Sequence, residues 1–474
     1  MLLIVRSVIC FASAGSPPGK IVLITIDTLR ADHLSCYGYE RRTSPNIDSL
    51  AAGGIVCTNV FAPASWTLPS MASLFTSVYP INHGVIHGIG LKMDQAIYVQ
   101  EIFSPDLITL AQALQAHGYT TFGVSSHRSL DEKFGFARGF DYFTCLPFLA
   151  AQEVNEAVCN WEDKIKKAEK FFLWIHYFDP HSPYSAQSPW AREYALQAHT
   201  EVILDLEGRS VTDLANLMRN FKNGELPDSL QPLRSELEQL IQNFQENTIN
   251  PQDHNIALYD SEISYVDAHI GMLIKQFNLY DDTLIIITAD HGEEFLEHGE
   301  TGHGHNLYQQ TIHIPLVVKL PHRQESTVLN QPISLVDLMP TILDIIDVNP
   351  PAEILGTSFR NEKKLLFWLK EKMSVSDIDY NYSEIDTGRT LKAIIAPPWK
   401  YIYNCKDTTG QLYNIVSDPL EINDLAGEKT RERDQLKDQL LRWMETSKGY
   451  PTTKYDYELS PEDKEKLKGL GYLQ

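Results

Sequence analysis

The stretch KIVLITIDTLRADHLSCYGY, residues 20–39, decides the fold. Its near-continuous apolar run from Ile21 to Ile26 suits a strand buried on both faces, the habit of a parallel sheet covered by helices. The run stops on Asp27, a carboxylate at the carboxyl edge of the strand. Similar strand signals recur in TTFGVSS (120–126), KFFLWIHYFD (170–179), DTLIIITADHG (282–292) and IPLVVKL (314–320). Between them helical patterns run from Ser44 to Ala52, Thr67 to Thr76, Leu107 to His117, Val154 to Lys170, Ile256 to Gln276 and Leu335 to Ile346. Alternation of this kind predicts an α/β fold with a mostly parallel central sheet. In such sheets the ligand site forms outside the carboxyl ends of the strands.

The chain has 474 residues, 43% of them hydrophobic and 22% charged, enough for one large α/β domain with additions. Its 62 acidic and 40 basic side chains give a formal charge of −22, which argues against a nucleic-acid partner. A site for an anionic substrate must therefore supply positive charge locally, and a bound metal is the natural source. The six cysteines are scattered without a CxxC pair and support neither a zinc knuckle nor a disulfide framework. Residues 1–19 form an apolar leader ending near Ala12-Ser13-Ala14, so a signal peptide and a periplasmic or secreted protein are expected, with a cytoplasmic protein as the alternative. No other run is long enough for an integral membrane segment. Oligomeric state is left open.

Residues 20–379 are expected to form the catalytic α/β domain, with a polar, helical insertion at 185–255 that could cap the site. From about residue 380 the pattern changes. The alternation in 390–426, with its Thr-Gly turn, predicts a small antiparallel subdomain, followed by a charged helix at 428–446 and a polar tail to 474.

Two carboxylates follow buried strands: Asp27 after IVLITI and Asp290 after LIIITA. His291 and Gly292 come next, the glycine allowing a tight turn. Together Asp27, Asp290 and His291 make an oxygen- and nitrogen-rich set for zinc or manganese, or for calcium or magnesium if more oxygens join. In ASWTLPSMASLFTSVYP (64–80), Thr67 opens a helix. Alone it reads as a cap. Beside a metal its hydroxyl would be a fourth ligand, acidified into an alkoxide nucleophile. Five histidines, His176, His181, His298, His303 and His305, cluster in HYFDPHSPY and EFLEHGETGHGHNLYQQTIHIPLVV. Of these, His181 and His303 are the strongest candidates for stabilising a transferred anionic group. Gly299, Gly302 and Gly304 would let the second stretch fold over the pocket.

The blocks VLITIDTLRADHLSCYGY, ASWTLPSM, DPHSPY, IIITADHGEEFLEHG and HNLYQQTIHIPLVV occur in order, and with them the chain resembles the sulfatase family of the alkaline phosphatase superfamily. The segment 399–426 is similar to that family's small C-terminal subdomain. The resemblance implies an α/β sandwich, one divalent metal ion, and hydrolysis of sulfate or phosphate esters of a small anionic substrate through a covalent intermediate. It places Asp27, Asp290 and His291 on the metal, with Thr67 as nucleophile and metal ligand. His181 and His303 fall against the transferred group, with His305 as a neighbouring substrate-binding alternative to His303.

Three positions depart from the sulfatase pattern. Thr67 stands where Cys or Ser is converted to formylglycine, so no formylglycine is expected. Met71 replaces the arginine that supports the aldehyde, and Thr28 replaces the second aspartate of an Asp-Asp pair. These departures resemble the phosphodiesterase and phosphoethanolamine-transferase branches of the superfamily, which use threonine on phosphorus. They imply phosphodiester or phosphonate chemistry in preference to sulfate. A phospho-group transferase and a non-catalytic metal-binding homologue are the alternatives.

Overall fold

The computed structural model describes residues 16–86, 90–91, 97–184, 194, 251–360, 381–385 and 390–458. Residues 1–15 of the leader and, Tyr194 apart, 185–250 of the expected insertion lie outside them.

The centre is an eight-stranded sheet of Lys20–Ile26 (β1), Ile55–Phe61 (β2), Thr120–Ser125 (β3), Tyr142–Cys145 (β4), Phe171–Tyr177 (β5), Thr283–Ala289 (β6), Leu316–Lys319 (β7) and Thr327–Ser334 (β8). Their order across the sheet is β8-β2-β7-β6-β1-β5-β3-β4. Every pairing is parallel except those of β7, which runs antiparallel to β2 and β6. The mixed, mostly parallel sheet agrees with the sequence expectation. β1 is central, and all but its first residue are buried, as the apolar run requires.

Strands β2, β4 and β8 were not among the expected ones. β2 reads IVCTNVF and β8 reads TVLNQPIS, short runs interrupted by polar residues, and Pro332 sits at a register shift where β8 breaks its pairing with β2. β8 is the sheet edge, where a proline and exposed polar groups are tolerated. The expected helix from Val154 to Lys170 is two helices, Ala151–Cys159 and Glu162–Lys167. The helix Thr67–Thr76 has the expected bounds, and all ten residues are buried. A helix apolar or small on every side belongs inside the domain.

A second sheet, antiparallel, joins Asn381–Ile385, Leu391–Ala396, Trp399–Asn404 and Gly410–Asn414 in sequence order. Leu436 and Leu440 of the helix Thr430–Thr446 share an apolar cluster with Ile394, Tyr401 and Leu412 of that sheet. The chain then returns: Thr453–Glu458 pairs antiparallel with Ile97–Ile102. Among the described residues no disulfide forms, and no helix is long and apolar enough to cross a membrane.

Candidate active site

Parallel register assembles the site. Ile26 of β1 lies opposite Ala289 of β6, so Asp27 and Asp290, the next residues of each strand, emerge side by side at the carboxyl edge. Asp27 N–H still donates to Tyr177 O of β5, which fixes where the strand ends. Gly292 is required because its backbone passes the Gln310 carbonyl so closely that a Cβ would lie 2.0 Å from that oxygen. The turn after His291 therefore depends on close approach, a use of glycine distinct from positive φ.

Asp27, Asp290 and His291 are fully buried, and each offers a ligand atom within 4.8 Å of the others. His291 Nε2 is 3.4 Å from Asp27 Oδ1 and 3.4 Å from Asp290 Oδ2. His291 Nδ1 lies 2.9 Å from Gly292 O, which can only accept, so the proton of the neutral ring sits on Nδ1 and Nε2 presents a lone pair. Both oxygens of Asp27 and Oδ2 of Asp290 have no hydrogen-bond partner. Burial pushes the Asp27 carboxyl well above its usual range, with Asp290 and Glu293 adding repulsion, and burial raises Asp290 to about 7. Carboxylate oxygens without a partner, gathered around an imidazole lone pair, are what a divalent cation would satisfy in place of a proton. The three residues fit a metal ion.

Thr67 stands at the first position of its helix, Trp66 being the N-cap, and no side chain caps that end. The cap reading is thus corrected: the Thr67 hydroxyl faces the centre, with Oγ1 3.2 Å from His291 Nε2. It is 2% exposed, so it meets the site and not bulk water. The free amides and dipole of the helix start favour an anion there. Ser70, one turn on, donates to Asp290 O at 2.6 Å and fastens the helix to the strand end.

The candidate histidines separate in space. His181 and His303 meet edge to face with ring centroids 4.9 Å apart, and His303 lies 4.4 Å from the His291 ring. His181 Nδ1 is bonded to Ser182 O at 2.6 Å, and burial, then His303, lowers its pKa to about 4. His303 Nδ1 donates to Glu293 Oε1 at 3.0 Å, and Glu293 also accepts from Tyr184 OH. Gly302 and Gly304 on either side of His303 have φ of 91° and 78°, so they form a defined left-handed turn. His305 is held instead by Glu294 at 3.1 Å and Glu300 at 3.4 Å. His298 stacks on Tyr308.

Two residues not singled out from sequence, His127 and Glu293, join this region, together with His176 of the five clustered histidines. His127 lies just past the end of β3, with its ring 6.3 Å from that of His181. Its Nδ1 accepts from Ser129 N–H, leaving Nε2–H as a donor, and burial holds it neutral. The placement rule that found Asp27 would have found it. His176, one residue before the end of β5, sits with Nε2 3.5 Å from Asp27 Oδ2. Glu293, fully buried, steadies His303. Thr28 has φ of 55° and a buried hydroxyl without a partner, an unusual state for a β-branched residue. Met71 is wholly buried in the apolar core.

Comparison with known proteins agrees with this architecture. A family model described as sulfatase matches residues 20–348, and one described as the C-terminal part of N-sulphoglucosamine sulphohydrolase matches 298–448. Human arylsulfatase A is 25% identical over 402 residues, covering 77% of this chain and 73% of its own length. An N-acetylglucosamine-6-O-sulfatase of Bacteroides thetaiotaomicron is 22% identical over 95% of this chain and 91% of its own. Among solved structures, one in complex with its substrate D-glucosamine-2-N,6-O-disulfate superposes with a TM-score of 0.68 at 20% identity, covering 91% of this chain and 97% of that one. A phosphonate monoester hydrolase of Agrobacterium radiobacter gives 0.64 at 18% identity, covering 90% and 95%.

Proposed function

This chain belongs to the sulfatase family of ester hydrolases, and from that premise we propose that Thr67 is its nucleophile and that phosphodiester or phosphonate esters are its preferred substrates over sulfate esters. The observation that carries this reading is the Thr67 hydroxyl at a buried helix start, 3.2 Å from His291 Nε2, in a centre where both oxygens of Asp27 and Oδ2 of Asp290 have no partner.

Asp27, Asp290 and His291 are the residues that hold the divalent ion. When bound, that ion supplies positive charge that lowers the pKa of the Thr67 hydroxyl and offsets charge on the substrate oxygens. Thr67 Oγ1 forms a bond to phosphorus while the bond to the leaving oxygen breaks; the leaving oxygen takes a proton from an imidazole of the site and the Thr67 proton replaces it, so the protein's proton count is unchanged. His303, whose ring lies beside those of His181 and His291, binds a nonbridging oxygen or protonates the leaving oxygen, while His181, neutral with its proton on Nδ1 toward Ser182 O, presents Nε2 to the same space as a proton acceptor. We assign this role to His303 and not His305, because Glu294 and Glu300 already hold the His305 ring. His127 Nε2–H adds a further donor. Water then opens the threonyl phosphate at phosphorus, and the hydroxyl is restored.

Chemistry favours phosphorus. A threonine cannot become an aldehyde hydrate, so a sulfated intermediate would have to be opened at sulfur, whereas a threonyl phosphate can be opened by water attacking at phosphorus. Turnover of an aryl sulfate, a phosphate monoester, a phosphodiester and a phosphonate monoester by metal-loaded protein tests the preference. A phosphodiester or phosphonate should be cleaved fastest; cleavage of the aryl sulfate alone overturns it.

A further inference from the structure

We propose that Trp174, Thr25 and His176 form a hydrogen-bond relay that fixes the tautomer of His176 and turns its Nε2–H onto Asp27, holding that carboxylate in place for the cation. The inference rests on the cation site proposed above and assigns positioning residues to it.

The register creates the relay. Thr25 of β1 pairs with His176 of β5, and Trp174, two residues before His176, shares its face of the sheet. All three side chains are completely buried, so no solvent arbitrates their protons. An indole N–H only donates, and Trp174 Nε1 gives its proton to Thr25 Oγ1 at 3.0 Å. The threonine hydroxyl must then send its own proton elsewhere. Two acceptors are in range: His176 Nδ1 at 2.9 Å and Ile175 O at 3.4 Å. The nearer one takes it, so Nδ1 is an acceptor and the proton of the neutral ring resides on Nε2. Nε2 lies 3.5 Å from Asp27 Oδ2, and neither atom has a hydrogen-bond partner, so each is the polar group nearest to hand for the other.

The opposite tautomer would place a bare nitrogen against a carboxylate, lone pair facing lone pair. It would also direct Nδ1–H at a hydroxyl oxygen already accepting from the indole. The donor-only indole therefore acts at a distance as the selector of the ring state next to Asp27. His176 falls outside the group formed by Asp27, Asp290 and His291. It stands behind Asp27 and orients it, as outer partners of metal ligands do, with losses of about 10–100-fold in affinity when they are removed.

The test is cation binding, measured by calorimetry on metal-free protein with manganese, zinc, calcium and magnesium chlorides added separately. Thr25→Val and His176→Phe should each weaken the tightest-binding cation by about 10–100-fold, while Thr25→Ser, which keeps the hydroxyl, should stay within about threefold of the wild type. Wild-type affinity in both Thr25→Val and His176→Phe, with Asp27→Ala weakened, overturns the relay alone. Wild-type affinity in Asp27→Ala overturns the cation site and the relay with it. Long-range nitrogen–proton correlation spectra of histidine-labelled, metal-free wild type provide a readout that needs no variant. The Nε2–H form of His176 is expected, and the Nδ1–H form overturns the proposal.

Discussion

Thr67 Oγ1 lies 3.2 Å from His291 Nε2, the nitrogen whose lone pair is left exposed by the bond from Nδ1 to Gly292 O. That contact converts a helix-start hydroxyl into a group sharing its space with two buried carboxylates. Removing it should stop chemistry without dissolving the site. Thr67→Ala is expected to lower kcat/KM by at least about a thousandfold, since a covalent nucleophile has no substitute here. Thr67→Ser should retain measurable turnover. Rapid acid quench of the wild type with a slow phosphorus substrate, followed by peptide mass spectrometry, should show one phosphoryl group on Thr67. The same spectrum should show unmodified threonine in the resting enzyme.

Cation removal should reveal itself in stability as well as in rate. Asp27 is pushed up by burial and by the neighbouring Asp290 and Glu293, and Asp290 by burial, and a bound cation removes that penalty. Chelation should abolish turnover reversibly. A cation at about a hundred times its dissociation constant should stabilise the fold by about 2.7 kcal/mol, read as a rise in melting temperature. Asp290→Asn should lose most of this cation-dependent rise. An equal rise in Asp290→Asn would mean that the ion binds elsewhere.

The chemistry of the centre was legible where residues follow buried strands. Asp27 and Asp290 are marked by the apolar runs before them, and register alone makes them neighbours. The helix at Thr67–Thr76 announced itself through its small and apolar residues. β2 and β8 were hidden because polar residues interrupt both runs, and β8, at the sheet edge, also carries a proline. His303 and His305 could not be told apart along the chain, since the choice is made by Glu293 and Glu294, acceptors from another part of the loop. His176 was visible only as one histidine among five. Its meaning depends on Thr25 across the strand and on an indole two residues away, and strand pairing is not written in local sequence.

The His305–Glu294 pair predicts a pH-dependent contribution to stability. His305 Nδ1 donates to His303 O and Nε2 to Glu294 Oε2, both at 3.1 Å, so the ring is held as an imidazolium. Burial alone would lower its pKa, but Glu294 and Glu300 raise it above its usual value. Glu294 moves the other way: burial opposes its ionisation, yet the bonds from His305, the Glu300 and His298 amides and Asn306 bring it to about 2. A raised histidine stabilises fully below its unfolded pKa and loses that contribution as pH rises through the folded value. A depressed glutamate stabilises above its unfolded pKa and loses that as pH falls toward about 2. His305→Gln should therefore cost about 1 kcal/mol near pH 6 and much less near pH 9, measured by urea unfolding. A cost independent of pH would show that the ring acts by packing alone.

A buried ion pair joins the C-terminal sheet to the loop behind the site. Lys400 Nζ is 3.0 Å from Glu421 Oε2 and 2.9 Å from Oε1, with both side chains fully buried. Glu421 also accepts from Gln309 N–H at 2.6 Å, and Gln309 opens the short helix Gln309–Ile312. Thr311 O of that helix accepts from Gly292 N–H, one residue past His291. Burial depresses Lys400 and raises Glu421, each partly offset by the other. Removing one partner leaves a charge without solvent or counter-ion, so Lys400→Met and Glu421→Gln should each cost about 3–5 kcal/mol. In Lys400→Met/Glu421→Gln no charge is stranded, and the glutamine carbonyl can still receive the Gln309 amide. The double variant should therefore lose less than the sum of the singles by about 2 kcal/mol or more, determined by denaturant unfolding. Strict additivity would show that the two charges are held by their separate surroundings and not by each other.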